Sequence, residues 1–122
     1  MIRQFTSKTQ QLGLLGEENA VVFLMKQGFD VLERNINGRY GEIDIVAKKS
    51  SVYHFFEVKT GKAGNWFNPA ENLTKEKLRK FQKTVQYYVM IHGIKNYRLQ
   101  GIVVFLNERN DSESTIEIFD LS

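Results

Sequence analysis

Cysteine is absent from this chain of 122 residues. That excludes a disulfide framework, a thiolate nucleophile and a zinc–thiolate centre. Histidine occurs twice, at His54 and His92, far apart in sequence. Neither reads as a metal ligand, and no Ser–His pair suggests acyl transfer. Proline and tryptophan each occur once, as Pro69 and Trp66. No apolar run approaches the roughly 20 residues of a membrane-spanning helix. The opening stretch, Met1 to Gln11, is polar and has no apolar signal-peptide core, so a cytoplasmic protein without membrane contact is expected. Repeats, low-complexity tracts and linkers are missing as well, so residues 1–122 are read as a single domain.

What is present points to a packed core. The chain is 42% apolar and carries nine phenylalanines and five tyrosines, which argues against disorder. The net charge of +3 suits a nucleic-acid or phosphate partner without proving one.

Taken in order, a first helix is expected from about Lys8 to Gln27, stopped by Gly28. Leu14, Glu17, Val21 and Leu24 share one stripe, and Glu18 lies on the adjacent one. Periodicity does not choose which glutamate points inward, and both can be solvated surface acids. Phe29–Arg34 alternates as a strand, and Asn37-Gly38 signals a hairpin turn. Tyr40–Ala47 and Val52–Thr60 follow as second and third strands around the turn Lys48-Lys49-Ser50-Ser51, giving an antiparallel meander. Gly61 to Leu73 reads as a loop, where Trp66 and Phe67 either stack on a base or cover the core edge. Thr74 caps a second helix with the apolar stripe Leu78, Phe81, Val85, Tyr88, Val89 and His92, ended by Gly93. Its other side carries Lys75, Arg79, Lys80 and Lys83, a solvated face or a phosphate-contacting one. Leu99–Leu106 is a buried strand, Asn107–Glu113 a turn and Thr115–Leu121 an amphipathic edge strand. The order is α-β-β-β-α-β-β, an α/β chain with mixed pairing and helices packed on the sheet.

The chemistry concentrates between Gly41 and Lys59. Residues two apart on a strand share a face, so Glu42 is expected beside Asp44, and Glu57 beside Lys59. Charges are costly among apolar neighbours such as Ile43, Ile45, Phe55 and Val58 unless they pair, bind metal or do chemistry. Asp44 and Glu57 offer oxygen ligands to a hard cation such as Mg2+ or Mn2+, which keeps several waters and takes substrate phosphate. Lys59 can orient the attacking water or stabilise the transition state. That set fits metal-assisted phosphodiester hydrolysis. The alternative is a cross-strand Asp44–Lys59 ion pair with Glu57 at the sheet edge, and the residues alone weigh the two equally.

Gly16-Glu17-Glu18-Asn19-Ala20, Arg34-Asn35, Gly41-Glu42-Ile43-Asp44, Phe56-Glu57-Val58-Lys59-Thr60, Pro69-Ala70-Glu71 and Lys77 together resemble the YraN-like bacterial family. That family is a branch of the PD-(D/E)XK nuclease superfamily, similar to archaeal Holliday junction resolvases. The likeness covers Gly16 to about Tyr88. It implies a restriction-endonuclease-like mixed sheet flanked by helices, with Asp44 and Glu57 as metal-binding acids and Lys59 as the catalytic lysine. It also implies that Glu17, rather than Glu18, completes the acidic cluster as a metal ligand. The implied activity is a Mg2+- or Mn2+-dependent endonuclease acting on DNA, branched DNA by analogy with the resolvases, with a homodimer expected on the same analogy. A nucleic-acid-binding module that does not cleave, or a protein-interaction domain that keeps the fold, are the alternatives. The chain departs from the family pattern at Gly61, where Arg is usual, at Trp66-Phe67 in place of Phe-Gly, and at Gln100 in place of an acid.

Overall fold

The computed structural model describes residues 7–62, 74–107 and 114–121. Its elements are α1 (Lys8–Lys26), β1 (Asp30–Asn37), β2 (Glu42–Lys49), β3 (Val52–Lys62), α2 (Lys75–His92), β4 (Tyr97–Leu106) and β5 (Ser114–Asp120). The expected order and mixed α/β architecture hold. The strands lie in one sheet in sequence order. Pairing is antiparallel from β1 to β3, parallel between β3 and β4, and antiparallel again between β4 and β5. A parallel neighbour requires a crossover, and the segment containing α2 provides it. Trp66, Phe67, Pro69 and the turn after Asn107 lie outside the described residues.

One helix covers each face of the sheet. Ala20 and Leu24 of α1 pack with Ile45, Ala47, Phe56, Ile102, Val104 and Leu106. Phe81 and Val85 of α2 pack with Ile43, Val46, Phe55 and Leu99 on the other face. With both faces covered, β4 is apolar without alternation, and Gly101 to Val104 are all buried, as its sequence predicts.

Local signals set the helix ends. Ser7 accepts the Gln10 N–H at 3.1 Å, and Thr74 accepts the Lys77 N–H at 3.2 Å, satisfying donors that the first helical turn leaves free. Gly93 takes the left-handed conformation at φ 65°, and the Ile94 N–H returns to the Val89 carbonyl at 3.0 Å, closing α2 as a Schellman-type stop.

Three expectations shift. Leu14 is 40% exposed, because the inner face of α1 is centred on Gly16, Ala20 and Leu24. Strand β3 continues through Gly61 to Lys62, since β4 pairs with it to its end. The β1–β2 connection spans Gly38 to Gly41, closed by the Gly38 N–H on the Gly41 carbonyl at 2.8 Å, so β2 begins at Glu42 rather than Tyr40.

Candidate functional site

The site forms where strand regularity breaks. Asn35 holds φ 53°, a left-handed conformation that Asn tolerates better than most residues. It lies between the paired residues Arg34↔Ile45 and Ile36↔Ile43, so Asp44 lies across from it. Ile43 packs under α2 and Ile45 under α1. Side chains two apart therefore point to opposite faces across Asp44. Glu42 at the start of β2 is exposed, whereas Asp44 is partly buried, and the Glu42 charge still acts on the Asp44 carboxyl.

The β2–β3 ladder ends at Ile45↔Phe56. Beyond it the Val58 N–H has lost its strand acceptor and donates to Asp44 Oδ2 at 2.7 Å. A buried backbone donor needs such a partner, and here a side chain supplies it. Burial pushes the Asp44 carboxyl up to about 6, opposed by the Val58 hydrogen bond and reinforced by the charges of Glu17, Glu57 and Glu42. The acids from α1, β2 and β3 are thus near enough to interact through Asp44.

Glu57 follows Phe55 on the α2 side of β3. Its carboxyl is also raised, first by burial, with Lys59 and Lys77 pulling the other way. Glu57 Oε2 is buried without a hydrogen-bond partner. Among the described residues no ion pair joins Asp44 to Lys59, so the cross-strand pairing weighed above is not what holds these charges.

Glu17 reaches the site because α1 lies very close to β3. A Cβ at Gly16 would overlap the Thr60 side chain, so glycine is what lets the helix approach the strand there. The Glu17 side chain is 12% exposed and that of Glu18 is 52% exposed, which places Glu17 inward. Arg34 of β1 contacts both, at 3.4 Å to Glu17 Oε1 and 2.6 Å to Glu18 Oε1. Sequence reasoning gave Arg34 no role beyond its place in a motif. An arginine ending an alternating strand beside a helix with paired glutamates was the available signal.

The donor set suits a hard cation. Two carboxylates on adjacent strands and one buried oxygen without a partner leave a charge to be compensated. Among the described residues no three His, Cys, Asp or Glu side chains form a group able to hold a metal by themselves. A cation bound by one or two carboxylates that keeps several waters requires no such group.

The model for the uncharacterised protein family UPF0102 matches residues 16–112, from Gly16 within α1 to beyond the end of β4. The chain belongs to the UPF0102 family. Family membership is the part of the earlier resemblance that this match supports. A UPF0102 protein of Campylobacter jejuni (strain 81-176) is 46% identical over 82 residues, 67% of this chain and 71% of its own. One from Caldicellulosiruptor saccharolyticus is 38% identical over 104 residues, 84% of this chain and 88% of its own. A solved protein of unknown function from Silicibacter pomeroyi aligns over 97% of this chain and 74% of its own, at 13% identity and a TM-score of 0.39, too distant to bear on the site. No helix among the described residues is long and apolar enough to cross a membrane.

Proposed function

We propose that this UPF0102 chain is a metal-dependent nucleic-acid phosphodiesterase, an endonuclease of PD-(D/E)XK type. The observation that carries the reading is the pair Asp44 and Glu57 at the point where β2 and β3 part. Both carboxyls are raised by burial, and one Glu57 oxygen is buried without a partner. Asp44 and Glu57 would hold Mg2+ or Mn2+, with Glu17 as a further acid reached through water or after release from Arg34. Bound there, the cation would supply Lewis acidity at a phosphoryl oxygen and charge neutralisation.

The remaining work falls to side chains. The Val58 N–H fixes one Asp44 oxygen at 2.7 Å and so orients the carboxylate. Lys59 is partly buried and close enough to lower the Glu57 carboxyl. Its ammonium would orient the attacking water and stabilise negative charge on the phosphoryl oxygens. Arg34 would hold Glu17 in place until substrate or metal competes for it. Lys75, Lys77, Arg79, Lys80 and Lys83 on α2 would contact phosphates and make affinity fall with salt.

The test compares the parent with Glu57→Gln for nicking of branched, duplex and single-stranded DNA and of RNA, with Mg2+ or Mn2+. Calorimetry of metal binding runs in parallel. Metal-dependent cleavage that disappears in Glu57→Gln supports the reading. If the parent neither binds the metals nor cuts any substrate, the cluster is structural and the nuclease reading is wrong.

A further inference from the structure

The exposed side of α2 carries a second feature outside the acidic cluster. Lys83, Gln86, Tyr87 and Met90 recur at helical spacing along one stripe. With Tyr40 of the β1–β2 turn they line a shallow groove. Tyr40 is 44% exposed, Tyr87 56% and Met90 68%. The turn is seated closely: a Cβ at Gly38 would lie 2.8 Å from Thr84 Cγ2, and one at Gly41 3.7 Å from Thr84 Oγ1. The groove therefore has one wall from the helix and one from a turn fixed against it.

Cations surround its aromatic wall. Lys83 Nζ lies 5.2 Å from the Tyr40 ring centroid, and the Arg39 guanidinium carbon 5.9 Å. Between Thr74 and His92 the only acid is Glu76, which Lys80 contacts at 3.6 Å. An aromatic groove in a basic surface is complementary to an anion that also presents flat apolar rings.

We infer that the groove formed by Tyr40, Lys83, Gln86, Tyr87 and Met90 binds an unpaired base of a nucleic-acid strand. A base stacks on the tyrosine faces, the Gln86 amide and Lys83 ammonium meet its polar edge, and Arg39 turns to the adjoining phosphate. Bases within a duplex are already stacked on their neighbours and cannot enter. The groove therefore selects strands with unpaired positions, such as single-stranded tails and flaps. Lys77 interacts with Glu57, and Tyr87 lies ten positions further along the helix, a rise of about 15 Å at 1.5 Å per residue. A tail held in the groove would thus cross the basic half of α2 to reach the acids. This inference rests on the nucleic-acid reading above and names the structure that such a substrate would have.

The experiment measures fluorescence anisotropy of the 122-residue chain, without divalent metal, on a blunt DNA duplex and on the same duplex with a single-stranded tail. The tail is also made in ribose form. The parent should prefer either tailed form over the blunt one. Tyr40→Ala and Tyr87→Ala should each weaken tailed binding by roughly tenfold, as loss of one stacking partner does. They should change blunt-duplex binding less than about twofold, a mark of stacking rather than charge. Tyr40→Trp, which keeps a ring, should retain the preference. Circular dichroism establishes that each variant is folded. Equal loss on both substrates, or no tail preference in the parent, overturns the inference. The phosphodiesterase reading then still stands or falls on the Glu57→Gln assay. A parent dimer that Tyr87→Ala dissociates would assign the groove to self-association and would also overturn it.

Discussion

Asp44→Asn should make the protein more stable at alkaline pH and slightly less stable in acid. Burial and neighbouring acids push the Asp44 carboxyl from 3.8 to about 6 in the folded chain. A folded value above the unfolded one means that folding favours the protonated form. The favourable contribution is complete below about pH 4 and is lost as pH rises through about 6. A shift of about two units, at about 1.4 kcal/mol each, corresponds to about 3 kcal/mol of stability absent at pH 8. Asparagine keeps an oxygen for the Val58 N–H and carries no charge. Its amide protons need partners that the site does not provide, a cost of about 1 kcal/mol. The net gain at pH 8 is then about 2 kcal/mol. At about 4 °C per kcal/mol for a domain of this size, Tm should rise by about 8 °C. Thermal melts of parent and variant at pH 4 and pH 8 measure this directly. A variant less stable than the parent at pH 8, or the same difference at both pH values, would refute the reasoning. Mg2+ gives an independent check, since it should raise the parent's Tm at pH 8 and have much less effect on Asp44→Asn. A residue that lowers stability in this way is expected where function needs the charge.

Lys59→Ala should fold and still bind Mg2+, while the rate of phosphodiester cleavage falls by about two to three orders of magnitude; single-turnover nicking at saturating metal measures it. Gly16→Ala should destabilise by about 1–3 kcal/mol, because the new methyl forces α1 away from Thr60, and Thr60→Ala should recover part of the loss in urea melts. Replacing Ser50-Ser51 by Asn-Gly should stabilise by about 1 kcal/mol, read from the urea midpoint, since both serines sit at positive φ, 50° and 68°, in a two-residue hairpin that favours Asn-Gly.

Much of the fold was legible because its signals are local. Thr74 and Gly93 mark the ends of α2 by chemistry that acts within one turn of helix. The unbroken apolar run of β4 marks a strand covered on both faces. Leu14 was misplaced because the helical stripe through Glu17 was anchored on large side chains. The face that meets the sheet is centred instead on Gly16 and Ala20, whose small size allows the approach. Arg34 was recognised only as part of a motif, because its partners Glu17 and Glu18 lie 17 and 16 residues away. No periodicity links a strand residue to a helix across such a gap.

The alternation rule failed at Asp44, and the failure has a physical meaning. On a regular strand, Asp44 would share a face with Glu42 and be confined to one side of the sheet. With Asn35 left-handed opposite it and the β3 ladder ended at Phe56, the Asp44 carboxylate lies in the opening between strands, at the level of the Val58 N–H. From that position it interacts both with Glu17, carried by the helix on one face, and with Glu57, whose strand position turns it towards the other. A cluster built from both faces cannot be drawn from strand periodicity, which assigns each residue to one face only. The interruption that concealed the geometry is the same one that leaves the Asp44 carboxylate, rather than a strand carbonyl, to accept from the Val58 N–H.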